Sequence, residues 1–240
     1  GWKTAYWERG AGWHPYRDEG AVRELLGEVD HLLSNSRAGK RILELRWGVT
    51  GTVSVLRNGV RPSSLPSVFK SRDHPTGPIK IGFAGRLEPI KGPNIALHVA
   101  RELANAGLDF ELHLAGTGPL SGPLEDLMTR LDIGPRVRFL GLVDDMPGFY
   151  ASLDLLIHPA LREPCANVIP EAHAWGVPVI ATRVDGMPEL LPEESQQLLL
   201  NPTSDLDEYR GLGATDGRMP SWAYDPAGAE LCGPVFVARG

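Results

Sequence analysis

The chain has 240 residues, 42% of them hydrophobic and 22% charged, and carries a formal net charge of −6. That composition suits a globular chain with room for one large or two small domains, and it excludes the disordered classes. No Lys/Arg cluster is present to track a phosphate backbone, so no nucleic-acid partner is expected, and the two cysteines, Cys165 and Cys232, lack the companions that a disulfide framework or a zinc site needs.

No apolar run approaches the roughly eighteen residues of a membrane span. The first ten residues lack the pattern of a secretory leader, so the chain reads as cytoplasmic and remains compatible with a membrane-peripheral position. Lys3 to Trp7 is strand-like, and Glu19 to Leu33 places Val22, Leu25, Leu26, Val29, Leu32 and Leu33 at helical spacing. Ser34-Asn35-Ser36 caps a further helix reaching about Arg46, which Gly48 stops. Thr52 to Leu56 is a strand followed by an Asn58-Gly59 turn. Residues 1–61 therefore form an α/β segment, and 62–78, with Pro62, Pro66, Pro75 and Pro78, read as a linker.

A second unit, residues 79–203, opens with a buried strand from Ile79 to Ala84. The turn after it holds Gly85, Arg86 and Lys91, and a helix follows whose apolar stripe is Ile95, Ala96, Val99, Ala100, Leu103 and Ala104. A planar guanidinium can bind two anionic oxygens at once and a flexible ammonium adds a point charge, although two cations in a solvated loop would read the same way. Phe110 to Ala115 is the next strand. It ends at Gly116-Thr117-Gly118-Pro119, and Leu124, Leu127, Met128 and Leu131 mark a helix. The glycines are not a dinucleotide fingerprint, because Gly122 comes one residue late. Val137 to Leu140 is a strand leading to Gly141-Leu142-Val143, and Asp144-Asp145 caps a helix from Met146 to Ser152.

The richest stretch follows. An apolar run, Leu155 to Ile157, ends at His158-Pro159. A loop then leads to a helix with Asn167 as N-cap and Pro170 in its first turn, stopped by Gly176 and Pro178 before a second apolar run, Val177 to Ala181. Strand, loop, helix and strand make a parallel βαβ unit whose loop lies at the carboxyl end of a strand, where such sheets bind ligands. Glu163 and Glu171, with seven residues between them, bracket loop and helix, and the N–H groups of Val168 and Ile169 open into the same region. Carboxylates accept from sugar hydroxyls and a helix start attracts phosphate, and a nucleotide sugar offers both groups. The plainer alternative is two solvated carboxylates beside a turn.

Beyond this, Asp185 to Leu190 reads as a helix start and Gln197 to Leu200 as a last strand. Asp205-Leu206-Asp207 has the form of a metal-binding DxD but reads as a solvated helix start, and residues 204–240 form an atypical tail without period. His31, His98, His113 and His173 fall inside elements and read as structural. No metal site is expected.

The stretch from Glu163 to Thr182 resembles the signature of retaining glycosyltransferase family 4: a Glu-Pro, then Glu-Ala after the seven-residue interval, then Gly176-Val177-Pro178-Val179-Ile180-Ala181-Thr182. It departs at Cys165-Ala166-Asn167, where the family usually has Phe-Gly and a further small or apolar residue. Gly85, Arg86, Lys91 and Gly92 resemble the family's phosphate-gripping turn, and Gly116 and Gly118 its donor-cleft floor. The resemblance implies a GT-B fold of two Rossmann-like domains, with a doubly wound parallel sheet in the donor half and residues 1–61 as the end of the acceptor domain. Roughly a hundred residues of such a domain would precede this point. The chain is thus expected to be a fragment, a partial product or one part of a split enzyme with a partner chain supplying the rest.

By the same resemblance, Arg86, Lys91 and the helix start at Asn167, Val168 and Ile169 would hold the diphosphate. Glu163 would support the sugar ring and Glu171 the ribose. Leu142 and Val143 would lie at the base, with core packing an equal alternative for their side chains. The implied activity is transfer of a sugar from a nucleoside-diphosphate sugar to an acceptor hydroxyl with retention, without cofactor or metal. The acceptor would be a carbohydrate, a lipid-linked molecule or a small molecule. No residue matches the family's histidine near Glu8 and His14, and Glu8 reads as a surface charge. The alternative function is a non-catalytic nucleotide-sugar binding module. A nucleotide-sugar epimerase of the same fold is a weaker alternative, since it needs an acid and a base that the sequence does not offer.

Overall fold

The computed structural model describes residues 3–10, 18–60 and 77–201. Most of the expected linker, the tail with Asp205 and Asp207, and His14 and Cys232 lie outside them.

The first unit is a three-stranded parallel sheet of β1 (Ala5–Glu8), β2 (His31–Ser34) and β3 (Val53–Val55), with β2 in the centre. Helix α1 (Glu19–Glu28) joins β1 to β2, and α2 (Arg37–Leu45) joins β2 to β3. Their apolar faces bury Leu26, Leu32, Ile42, Leu43, Trp47 and Val53 together. The periodicity from Glu19 to Leu33 predicts one helix, but α1 ends at Glu28 and Leu32 and Leu33 belong to β2. Asp30 is turned toward β1, accepting from Thr4 N–H at 2.9 Å and from Lys3 Nζ at 3.1 Å. Pairing of β2 on both edges overrides the helical spacing.

The second unit is a six-stranded parallel sheet in the order β6-β5-β4-β7-β8-β9. Its strands are β4 (Ile79–Ala84), β5 (Phe110–Ala115), β6 (Val137–Gly141), β7 (Leu155–His158), β8 (Val179–Thr182) and β9 (Leu199–Leu200). Helices α3 (Pro93–Asn105), α4 (Ser121–Arg130), α5 (Met146–Ser152) and α6 (Val168–Ala174) cross between them. Buried on both faces, these strands read as near-continuous apolar runs. Consecutive residues of β7 enter opposite cores: Leu156 packs with Tyr150 of α5 and Ile169 of α6, and Ile157 packs with Leu97 of α3 and Leu124 of α4. This is the doubly wound α/β fold. The last strand is shorter than the sequence suggests, because residues Glu193–Leu198 form a 3-10 helix.

Candidate active site

Strand order reverses between β4 and β7, and sheets of this kind bind ligands outside the carboxyl ends of their strands at such a switch point. The loops leaving there, 85–92 after β4 and 159–167 after β7, run into contact: Leu161 N–H donates to the Ile90 carbonyl at 2.8 Å. At their meeting Lys91 Nζ forms a buried ion pair with Glu163 Oε2. His158 Nε2 stands 3.4 Å from the same oxygen, long for a hydrogen bond, and neither of its ring nitrogens has a well-formed partner. Burial alone would raise the Glu163 pKa. The His158 contact and the Lys91 ammonium outweigh it and hold the carboxyl down at about 2. The Lys91 contact is the closer of the two and the firmer cause.

Glu163 is fixed from its backbone as well. Its N–H donates to Asp185 Oδ2 at 2.7 Å, its carbonyl accepts from Gly186 N–H at 3.2 Å, and Cys165 N–H reaches Oε1 at 3.3 Å. The carboxylate is only 5% exposed, so it is no solvated charge. Burial, with Glu163 and Glu189 nearby, pushes the Cys165 thiol up.

Arg86 behaves differently from Lys91, since its exposed guanidinium pairs with Glu88 Oε1 at 2.9 Å. Beneath it, the loops after β4 and β5 touch. Gly116 has φ +144°, and a Cβ there would collide with the Gly85 carbonyl oxygen, so only glycine lets these backbones approach.

A cavity of about 610 Å³ lies between the two units. The second unit contributes Asp144, Met146, Pro147, Tyr150, Asn167, Glu171 and Trp175 to its wall. The first contributes Trp7, Arg9 and residues 56–59 from the carboxyl ends of β1 and β3. Of the site residues expected from sequence, only Asn167 and Glu171 line it. The Lys91–Glu163 pair, Arg86, Gly85 and Gly116 are not part of its lining.

Four expectations are corrected here. Asn167 stands at the N-cap position of α6, and its carbonyl accepts from Glu171 N–H at 3.2 Å, but its backbone is helical and its side chain makes no cap bond: Oδ1 accepts instead from Asn58 Nδ2 at 2.7 Å, across the two units. The Ile169 N–H is already used, donating to the Ala166 carbonyl at 3.3 Å, while Val168 is half-buried against the core. Leu142 is 79% exposed, which removes core packing for it, whereas Val143 packs against the core. Glu8 is corrected too. It is 1% exposed and accepts from Tyr6 Oη at 2.9 Å and from Gly10 N–H at 2.5 Å.

Sequence reasoning missed Trp7, Arg9, Arg57, Tyr150 and Trp175. Arg9 stacks over the Trp7 ring at 4.9 Å, and Arg57 stands 3.5 Å from Glu189 Oε2. Their signal was positional, since Trp7, Arg9 and Arg57 sit at or just beyond the carboxyl ends of parallel strands. Tyr150 Oη donates to Glu171 Oε2 at 2.8 Å from within the core. Among the described residues, no cluster of three or more His, Cys, Asp or Glu could hold a metal ion, and no helix is long and apolar enough to cross a membrane.

Residues 78–210 match a family model described as glycosyl transferases group 1. A D-inositol 3-phosphate glycosyltransferase of Saccharomonospora viridis is 29% identical over 203 residues, covering 78% of this chain and 47% of its own length. The 2-deoxystreptamine glucosyltransferase of Streptomyces kanamyceticus is 33% identical over 128 residues, covering 52% of this chain and 33% of its own length. The chain thus spans about half or less of the curated relatives it matches. Among solved structures, Anabaena HepE in complex with UDP-glucose superposes with a TM-score of 0.70 at 22% identity, over 87% of this chain and 61% of that one. That likeness carries the fold.

Proposed function

The chain belongs to the group 1 family of glycosyl transferases, and on that premise we propose that it binds a nucleoside-diphosphate sugar and transfers the sugar to an acceptor hydroxyl with retention of configuration, as in glycosyltransferase family 4. The observation that carries the reading is the buried Lys91–Glu163 pair at the strand-order switch, where the loop that carries Glu163 leads into the helix from which Glu171 lines the cleft. In this reaction the bond from the anomeric carbon to the diphosphate oxygen breaks and the acceptor oxygen takes its place. A nucleoside diphosphate and the proton of the acceptor hydroxyl are released.

Charge grows on the leaving diphosphate, so cations held before the reaction are what it needs. Lys91 has three N–H donors, and the one given to Glu163 leaves two for phosphate oxygens. The exposed Arg86–Glu88 pair holds its guanidinium only weakly, so Arg86 can be re-aimed at a bidentate phosphate contact at little cost. Removing one such donor typically costs about 3 kcal/mol, or about a hundredfold in rate. Gly85 and Gly116 bring backbone to the phosphates, Glu163 supports the sugar ring, and Glu171 holds the ribose. Val168 and Asn167 border the diphosphate end, and Leu142 and Val143 the base. The acceptor is a carbohydrate, lipid-linked or small molecule, and a partner chain can complete its pocket.

The test is calorimetric titration of the chain with UDP, GDP and ADP, wild type beside Arg86→Ala and Glu171→Ala. One nucleotide should bind tightly and lose affinity in both variants. Absence of binding by all three, or unaltered affinity in both variants, would remove the proposal. Binding without transfer to any acceptor would favour the binding-module reading.

A further inference from the structure

The wall of the cleft contains one hydroxyl that packing does not explain. Tyr150 is 2% exposed in α5 and its ring meets Phe149 edge to face, with centroids 5.6 Å apart. A phenylalanine would fill that space, as Phe149 does next door, whereas a buried hydroxyl needs a partner. Its partner is Glu171 on α6, twenty-one residues later, whose Oε2 accepts from Tyr150 Oη at 2.8 Å. No other described residue donates to the Glu171 carboxylate, so Oε1 is left for whatever enters the cavity that both residues line.

We propose that Tyr150 is a positioning residue for donor binding: its phenol holds one oxygen of Glu171 so that the other meets the ribose hydroxyls of the nucleotide. This rests on the reading of Glu171 as the ribose ligand. A glutamate has three side-chain torsions, and a carboxylate tethered through one oxygen reaches its ligand with fewer of them left to freeze. Burial, together with the Glu171 charge and hydrogen bond, drives the phenol pKa up, so Tyr150 stays a donor at every working pH.

The experiment compares a ribonucleoside diphosphate with its 2′,3′-dideoxy counterpart, using the base chosen by titration with UDP, GDP and ADP, on wild type, Tyr150→Phe, Glu171→Gln and the double variant. Wild type should prefer the ribonucleotide by at least about tenfold, the scale of one charge-assisted hydrogen bond. Tyr150→Phe should lose most of that preference while binding the dideoxy nucleotide as wild type does. The double variant should lose no more preference than Glu171→Gln alone. The preference is a ratio within one preparation, so a partly unfolded sample still reports it. Should Tyr150→Phe fail to fold, Tyr150→His, which keeps a ring donor, must retain more preference than Tyr150→Leu. A preference kept in Tyr150→Phe, an equal loss for both nucleotides, or additive losses in the double variant would overturn the positioning role. Wild type binding both nucleotides equally would remove the ribose contact itself, and a failure to bind any nucleotide would remove the donor-site reading; each takes this proposal with it.

Discussion

Lys91 and Glu163, seventy-two residues apart in sequence, meet as a buried ion pair at the point where strand order reverses. Neither loop alone could bury its charge, because an unpaired ion out of water is costly. Each loop is therefore held by the other. Lys91→Met should destabilise the chain by about 3 kcal/mol, in the range seen when one partner of a buried pair is removed. Lys91→Met combined with Glu163→Gln should recover a substantial part. Urea denaturation of the three variants measures both, and losses that simply add would show that the two charges are not coupled.

The same pair sets an acid limit. The Glu163 carboxyl is held at about 2 in the fold against an ordinary value of 4.5. Between those values the unfolded chain binds the extra proton, so stability rises with pH there. The contribution is complete above about pH 5 and is lost as pH falls through 4.5 toward 2, amounting to roughly 3 kcal/mol. Glu163→Gln should flatten that part of the profile, measured as urea midpoints from about pH 2 to 6. An acid limb as steep as wild type would mean that other carboxylates set it.

Much of the second unit was legible in the sequence. Met146 to Ser152 and Ile79 to Ala84 fall where the sequence puts them, because Asp145 caps its helix from the side chain and a strand buried on both faces is an unbroken apolar run. The misses have tertiary causes. Leu32 and Leu33 keep helical spacing yet serve β2, since two strands compete for them. Asn167 has the composition of a cap but bonds Asn58 across 109 residues, and no local pattern encodes such a partner. Glu8 and Tyr150 are buried in the folded chain, and Tyr150 bonds a glutamate on another helix, so their weight shows only in three dimensions.

Gly116→Ala should be severe. It puts a Cβ against the Gly85 carbonyl and forces φ +144° on an L residue, and we expect a loss of more than about 2 kcal/mol together with weakened nucleotide binding. Gly122→Ala is the control. It lies in α4 with nothing within 4 Å of the added methyl, so it should gain about 0.5 to 1 kcal/mol. Chemical denaturation of both decides the matter, and equal effects would mean that the loops after β4 and β5 are not packed as described.

Glu189 joins the two units at a different place from the loops that carry Lys91 and Glu163. Its two oxygens accept from the N–H groups of Arg37 and Ala38 at 3.0 and 3.1 Å, so a carboxylate of the second unit caps α2 of the first. Gly39 N–H in the same helix turn is held from within its own unit by Ser36 Oγ at 3.0 Å. First-turn amides have no partners inside their helix, and negative charge beside them is favoured by the helix dipole. Glu189→Ala should therefore cost about 1 to 2 kcal/mol and lower hydrogen-exchange protection at Arg37 and Ala38 by at least about tenfold, while Gly39 keeps its protection. Because the cavity is walled by both units, the looser junction should also weaken nucleotide binding, with Glu189→Gln intermediate since it retains one acceptor. Protection lost equally at all three amides would mean that α2 frays for reasons of its own, and unchanged protection at Arg37 and Ala38 would mean that Glu189 does not hold the units together.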